Sequence, residues 1–150
     1  KAVMAAVKNH KTARLGKLAF FWQAGMLFIT LPSGRSLAYV KPKVGMNRFG
    51  GECITYEGVG GTKKWERLES YGPKFVENIV QATSRDILCN SMKMLRHCDI
   101  CMHIHDELVI EADPRVSLDT LCVQMGRVPA WADGLVLRAD GYVCDFYKKD

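Results

Sequence analysis

The sequence predicts an α+β fold, in which helices pack against an antiparallel sheet. Three patterns carry this prediction: a hairpin pattern at residues 26–40, a long helical stripe near residues 73–96, and a strand–turn–strand pattern at residues 99–111. Alternating apolar residues are typical of strands, whereas apolar residues three and four apart are typical of helices. The 150 residues, of which 48% are hydrophobic, suffice for one compact domain with its own core.

The first half of the chain predicts most of the sheet. Residues 1–24 are basic with cations at spacings near three, which fits a helix with a cationic face or a frayed leader. Residues 26–40 predict a β-hairpin around the turn Pro32-Ser33-Gly34-Arg35. A loop with Gly45, Gly50 and Gly51 follows, then a short strand near residues 54–56 and further glycine turns. A basic cluster comes next, formed by Lys63, Lys64 and Arg67 beside Trp65.

A helix is predicted near residues 73–96, where Pro73 suits the first helical turn. Its apolar stripe consists of Val76, Ile79, Val80, Ile87, Leu88, Met94 and Leu95. A separate polar face carries Asn78, Gln81 and Arg85, at offsets of three and four. Such amides can donate hydrogen bonds to the purine N3 and pyrimidine O2 acceptors of the DNA minor groove. A solvated polar face is the plainer interpretation.

Residues 99–111 predict two short strands around the polar triplet His105-Asp106-Glu107. Alternation along the first strand places one set of side chains, Cys101, His103 and His105, on one face, and Ile100, Met102 and Ile104 on the other. Adjacent carboxylates at a tight turn repel one another unless a cation neutralises them, and hard oxygen ligands suit Mg²⁺. An ordinary solvated turn is the alternative.

The end of the chain predicts one more helix and further strands. The helix begins at Ser117 as its cap, runs to Met125 and is closed by Gly126. Residues 135–147 have the pattern of one or two strands. A zinc site is a second metal hypothesis, because Cys98, Cys101, His103 and His105 are soft ligands at short spacing. Side chains two residues apart on a strand splay along one face, which argues against it.

Composition and charge limit the functional class. Charged residues make up 25% of the chain, no apolar run is long enough to cross a bilayer, and no signal-peptide pattern is present. Scattered cysteines and the start at Lys1 favour a piece of a longer cytoplasmic protein. Residues 1–75 hold 13 Lys and Arg against 4 Asp and Glu, whereas residues 76–150 hold 8 against 12. A basic half can meet a polyanion and an acidic half can hold cations, although clustered surface charge gives the same pattern.

Several segments together resemble the palm of family A DNA polymerases, the bacterial DNA polymerase I-like enzymes, in their phage and prophage branch. They are LPSGRSLAYVKP, ITYEGVGGTKKWERLESYG, YGPKFVENIVQATSRDIL, IHDELVIEADP and LRADGYVCDFYKKD. The resemblance covers most of the chain apart from the basic leader, and the order of the segments makes it specific. It implies that residues 1–150 form a single domain, the C-terminal part of a palm-like antiparallel sheet with a motif C hairpin.

The resemblance also implies roles for individual residues. Asp106 becomes one of two aspartates that bridge two Mg²⁺ ions, Glu107 supports the metal and the primer end, and His105 contacts the primer-terminal backbone. Gln81 matches the helix glutamine that touches the minor groove near the primer end. The weaker DNA-binding candidates are Asn78, Arg85 and Lys74. Bacterial members carry an Asn four residues before the Gln, where this chain has Glu77.

The chain departs from the family by lacking motif A, with its second aspartate, and the fingers helix that binds the incoming nucleotide. We therefore expect a DNA-directed DNA polymerase as parent, acting on primer–template DNA and deoxynucleoside triphosphates in a bacterial cell or phage-infected host. The fragment alone is expected to be inactive and not to retain Mg²⁺. A non-catalytic duplex-DNA-binding remnant is the alternative. Palm surface left uncovered predicts self-association.

Overall fold

The computed structural model describes residues 1–147, which belong to two compact units, one over Lys1–Thr83 and one from Ser84 onward. A long helix, α2 (Gly72–Met94), runs without a break through the boundary and so contributes to both units. The expectation of one domain over residues 1–150 stays a prediction. Within residues 1–147, none of the helices has the length and apolar content that a bilayer crossing requires.

The first unit contains a short helix and a six-stranded antiparallel meander. The elements are α1 (Ala2–Asn9), β1 (Ala13–Leu15), β2 (Leu18–Gln23), β3 (Met26–Thr30), β4 (Ser36–Met46), β5 (Glu52–Val59) and β6 (Trp65–Ser70). The order of the strands in the sheet equals their order in the chain, and every neighbouring pair is antiparallel. Short turns alone connect such strands, because antiparallel neighbours need no crossover.

Alternation in the strands builds the core of this unit. Leu27 and Ile29 are fully buried in β3, and their cross-strand partners include Tyr39 and Phe20, which are also buried. Phe75 of α2 packs its ring edge-on against Tyr39, with the ring centroids 5.1 Å apart. Ala6 and Val7 of α1 join the same cluster. The predicted α+β class is therefore confirmed: helices pack on an antiparallel sheet.

Several local predictions for this unit are confirmed and others are wrong. The hairpin at residues 26–40 forms as β3 and β4, and Gly34 has φ 89° in its turn. The leader is neither one cationic helix nor frayed, because α1 ends at Asn9 and two strands follow. Gly45 lies inside β4 rather than in a loop, β5 is longer than expected, and the strand β6 was missed. A strand is decided by its neighbours as much as by its own residues.

The second unit contains the last part of α2, a two-stranded hairpin and a short helix. Its further elements are β7 (Asp99–Ile104), β8 (Glu107–Glu111), α3 (Leu118–Met125) and a 3₁₀ turn at Ala130–Ala132. The α3 prediction is confirmed at both ends: the Ser117 side chain accepts from the Thr120 N–H, and Gly126 closes the helix. Ser91 of α2 donates to the Met125 carbonyl over 2.9 Å, which fastens α2 to α3.

The strands expected at residues 135–147 do not form, and no helix or strand follows Ala132 in the described part of the chain. Val136 and Val143 are 93% and 85% exposed, so their alternation faces no sheet. The apolar stripe of α2 is also partly wrong. Leu88 and Leu95 are buried as expected, but Val76 and Val80 are 59% and 57% exposed, and Phe75 takes the inward position.

Candidate functional site

The tip of the β7–β8 hairpin is a two-residue loop. Ile104 pairs with Glu107, so only His105 and Asp106 lie between the strands. His105 has φ 51°, in the left-handed region, which costs a non-glycine residue about 1 kcal/mol. The predicted tight turn is confirmed, and all three residues of the triplet are exposed. A strained tip with two adjacent carboxylates is a rigid and accessible place for chemistry.

The two carboxylates of the tip have different surroundings. Within residues 1–147, no hydrogen bond or ion pair engages the Asp106 side chain, so both of its oxygens face solvent. Glu107 begins β8, and its Oε2 accepts a hydrogen bond from the Tyr147 hydroxyl at 3.4 Å. Tyr147 is 40 residues away in the chain, and no local pattern could have revealed its contact with Glu107.

Two exposed carboxylates fit only part of a magnesium site. Mg²⁺ takes one or two protein carboxylates and completes its octahedron with water and substrate phosphates. Asp106 and Glu107 match that donor set in number and in atom type. Over residues 1–147, the structure gathers no group of three or more His, Cys, Asp or Glu side chains that could hold a metal ion. Any ion at this tip would therefore need further ligands from outside the described residues.

The zinc hypothesis is not supported, because its four residues are not brought together. A register shift between Ile100 and Met102 makes Cys101 a β-bulge. Ile100 and Met102 therefore pair with adjacent residues of β8 and point to opposite faces of the hairpin. The predicted alternation on β7 is therefore wrong. The Cys101 thiol donates to the Asp99 carbonyl. Within residues 1–147, the four candidate ligands do not gather into a cluster that could hold a metal ion.

Arg85 and His103 interact with one another within the second unit. The two guanidinium nitrogens Nη1 and Nη2 of Arg85 lie 3.1 and 3.3 Å from Nδ1 and Nε2 of the His103 ring. A neutral imidazole has one acceptor nitrogen, so one of these contacts is a hydrogen bond at any moment. Arg85 thereby links α2 to β7. As a candidate DNA contact, it would first have to leave this partner.

The predicted DNA-binding residues in the first unit fall on two faces of α2. Asn78 Nδ2 donates to the Tyr39 hydroxyl over 3.0 Å, in a partly buried position. Gln81 is exposed and Lys74 is half-buried, and both interact with Glu77: Gln81 Nε2 lies 3.4 Å and Lys74 Nζ 2.9 Å from its carboxylate oxygens. The hydrogen bond that Lys74 donates to Glu77 raises the pKa of Lys74. Gln81 therefore keeps an accessible amide, whereas Asn78 is used inside the fold.

The predicted basic cluster beside Trp65 is rearranged by an acid that sequence reasoning did not include. The Glu57 carboxylate receives Arg67 at 3.1 Å, Lys41 at 3.0 Å and the Trp65 indole N–H at 3.3 Å. Hydrogen bonds from Lys41 and Trp65 hold the pKa of Glu57 below its usual value. Arg67 is thus neutralised across β5 and β6, whereas Lys63 and Lys64 stay exposed in the turn between them.

Comparison with known proteins adds one strong similarity. The chain matches no protein-family model and no solved structure. It is 48% identical over 155 aligned residues to a protein named DNA polymerase from Bacillus phage SP02, and the alignment covers 99% of this chain. The chain spans 24% of the length of that relative. Over nearly all of its residues, the chain is thus similar to about a quarter of a phage DNA polymerase.

Proposed function

We propose that this chain is part of the palm of a family A DNA polymerase, whose complete form extends a DNA primer on a template. The observation that carries the proposal is the exposed Asp106-Glu107 tip, within a chain 48% identical to a phage DNA polymerase. In the reaction, the primer 3′ oxygen forms a bond to the α-phosphorus of a deoxynucleoside triphosphate. The bond to pyrophosphate breaks, and the hydroxyl proton is lost to water or a base.

Asp106 and Glu107 are the residues of this chain that would hold Mg²⁺ during that reaction. The ion supplies two things when bound: it lowers the pKa of the primer hydroxyl and stabilises the charge on the transferred phosphoryl group. Asp106 offers both carboxylate oxygens, since no side chain among the described residues engages them. Glu107 accepts a long hydrogen bond from Tyr147, at 3.4 Å, so its carboxylate stays accessible, and His105 at the same tip can donate to the primer-terminal phosphate.

Gln81 is the residue of α2 best placed to contact DNA. Its amide is exposed, and its contact with Glu77 is long, at 3.4 Å, so little is lost when water or a base replaces it. An amide can donate to the acceptors common to all base pairs in the minor groove. Such a contact senses the shape of a correct pair without reading its identity.

A chimeric polymerase tests the proposal directly. The matching quarter of the Bacillus phage SP02 protein is replaced by this chain, and primer extension is measured with Mg²⁺. We expect activity in the chimera and a loss on the order of a thousandfold in its Asp106→Asn variant, because several kcal/mol of transition-state stabilisation depend on a metal ligand. Asp99→Asn is the matched control, since Asp99 is an exposed aspartate at the far end of the same hairpin.

Two results would contradict the proposal: a folded but inactive chimera, or equal activity in the Asp106→Asn and Asp99→Asn variants. The chain by itself should show no extension above its own Asp106→Asn variant, because two carboxylates do not complete a two-metal site. Turnover clearly above that background would show that the second aspartate is not needed. Salt-sensitive DNA binding without extension in the chimera would instead favour a non-catalytic binding module.

A further inference from the structure

The meander places alternate turns at the same end of the sheet. One end carries the β1–β2 turn at residues 16–17, the β3–β4 turn at residues 31–35 and the β5–β6 turn at residues 60–64. These turns contain four cations and no Asp or Glu, namely Lys17, Arg35, Lys63 and Lys64. The opposite end has turns at residues 24–25 and 47–51, with Arg48 as their one cation. We call the first end the basic end.

The β5–β6 turn holds two of these cations on an ordered backbone. Gly60 donates its N–H to the Lys64 carbonyl over 2.9 Å, and Lys63, with φ 60°, donates back to the Gly60 carbonyl over 3.0 Å. Both lysine side chains are exposed, and no acidic side chain in residues 1–147 forms an ion pair with either. The Glu66 side chain lies over Gly60 of this turn, and the two lysines outnumber that one carboxylate, so the turn keeps a net positive charge.

Two other arginines near these lysines are engaged in contacts within the fold. Arg67, next to these lysines in sequence, is removed from the available charge by its ion pair with Glu57. Arg35 is held in place by a hydrogen bond from its Nη2 to the Ala82 carbonyl over 2.8 Å. The basic end therefore differs from the cluster of Lys63, Lys64 and Arg67 that is adjacent in sequence.

We propose that the basic end binds the phosphate backbone of DNA without reading its sequence. The first and third turns are four strand spacings apart, about 19 Å, which is close to the length of six base pairs at about 3.4 Å each. Lysines act as point charges that neutralise phosphates and release counterions. The inference rests on the proposed function in one respect only: it takes DNA, rather than another polyanion, as the ligand.

The test measures binding of the full chain to labelled duplex and single-stranded DNA over a range of salt concentrations. The double variant Lys63→Gln/Lys64→Gln is compared with Lys11→Gln/Arg48→Gln, which removes the same charge from the opposite end of the sheet. We expect the first variant to lower the salt dependence of log K by about 2 for duplex DNA, or about 1.4 for a single strand, and the second to leave it unchanged. The form of DNA for which the change reaches its own expected value is the one whose phosphates the two lysines contact.

Equal weakening in both double variants would reduce the effect to net charge and overturn the inference, as would an unchanged salt dependence or no binding by the unmodified chain at low salt. Thermal unfolding of each variant checks that it is folded. In the active chimera, the lysine variant should raise KM for primer–template and leave kcat unchanged. If the chimera is inactive but only the lysine variant alters the salt dependence of DNA binding, the proposed function is contradicted and the basic end is not. If the chimera is active but the lysine variant binds DNA as the unmodified chain does, only the DNA-binding role of the basic end is contradicted.

Discussion

At the scale of single residues, His105 combines a left-handed backbone with a place at the carboxylate tip. Four other non-glycine residues have positive φ, but His105 alone lies in the loop of the carboxylate hairpin. Glycine accepts the left-handed region without the steric cost that a Cβ brings. A residue that costs stability and persists beside two carboxylates is consistent with a role for its imidazole.

Replacing His105 separates backbone strain from chemistry. His105→Gly removes the strain and the imidazole, whereas His105→Ala removes only the imidazole. We expect the glycine variant to have a free energy of unfolding about 1 kcal/mol higher than the alanine variant, the reverse of the usual order in a strand. Urea denaturation of the two variants measures this difference. An alanine variant as stable as the glycine variant would mean that the loop does not adopt the left-handed conformation.

Primer extension by the two variants in the chimera gives the second readout. If the imidazole contacts the primer end, both variants lose activity to a similar degree despite their different stabilities. Recovery of full activity in the glycine variant would assign the effect of His105 to its backbone conformation instead.

At the scale of elements, helix α2 has an inward and an outward face that the sequence pattern assigned incompletely. The pattern placed Asn78 and Gln81 together on one polar face. In the structure, Asn78 donates to Tyr39, whose pKa is raised chiefly by burial, whereas Gln81 is exposed. A buried hydroxyl needs a partner, and the chain supplies it from a helix position that looks polar and solvated.

The two faces of α2 predict opposite effects of alanine substitution. Asn78→Ala should lower the free energy of unfolding by about 1–2 kcal/mol, because the partly buried Tyr39 hydroxyl loses its donor. Gln81→Ala should change it by less than about 0.5 kcal/mol, as is usual at exposed positions. In the chimera, the Gln81→Ala variant should nevertheless discriminate less between matched and mismatched primer ends than the Asn78→Ala variant does. Equal stability of the two variants would place Asn78 on the solvent side.

The elements that sequence reasoning found are those that carry their own signals. The hairpin at residues 26–40 has a turn with Pro and Gly, and α3 has a Ser cap and a terminal Gly. The elements it missed depend on partners elsewhere. β6 reads as polar and becomes a strand because β5 lies beside it, and the tail at residues 135–147 alternates but has no sheet to join.

The candidate site follows the same division. The Asp106-Glu107 tip could be predicted because two strand-like runs flank a polar triplet. The contact of Tyr147 with Glu107 spans 40 positions, and the bulge at Cys101 arises from pairing rather than from composition. Local periodicity contains no information on either, since both are decided by which segments meet in space.

At the scale of the whole molecule, exposed apolar surface predicts self-association. Val76 and Val80 stand one turn apart on α2 and are 59% and 57% exposed. We expect the mass of the chain to rise with concentration in light scattering, and the Val76→Gln/Val80→Gln variant to raise the dissociation constant about tenfold. The control is Val123→Gln/Val136→Gln, which changes two valines that are even more exposed, at 65% and 93%, and do not lie on α2. A monomeric mass at high concentration would contradict this prediction.

The meander of the first unit also bears on how the protein is made. Each strand pairs only with its neighbours in the chain, so the pairings of β1 to β6 close short loops. Sheets built from such pairings assemble faster than sheets whose strands come from distant segments. Folding during synthesis proceeds from the N-terminus, so this sheet can close while the ribosome is still adding the residues of the carboxylate hairpin. The acidic tip would then be synthesised after the basic sheet has already formed.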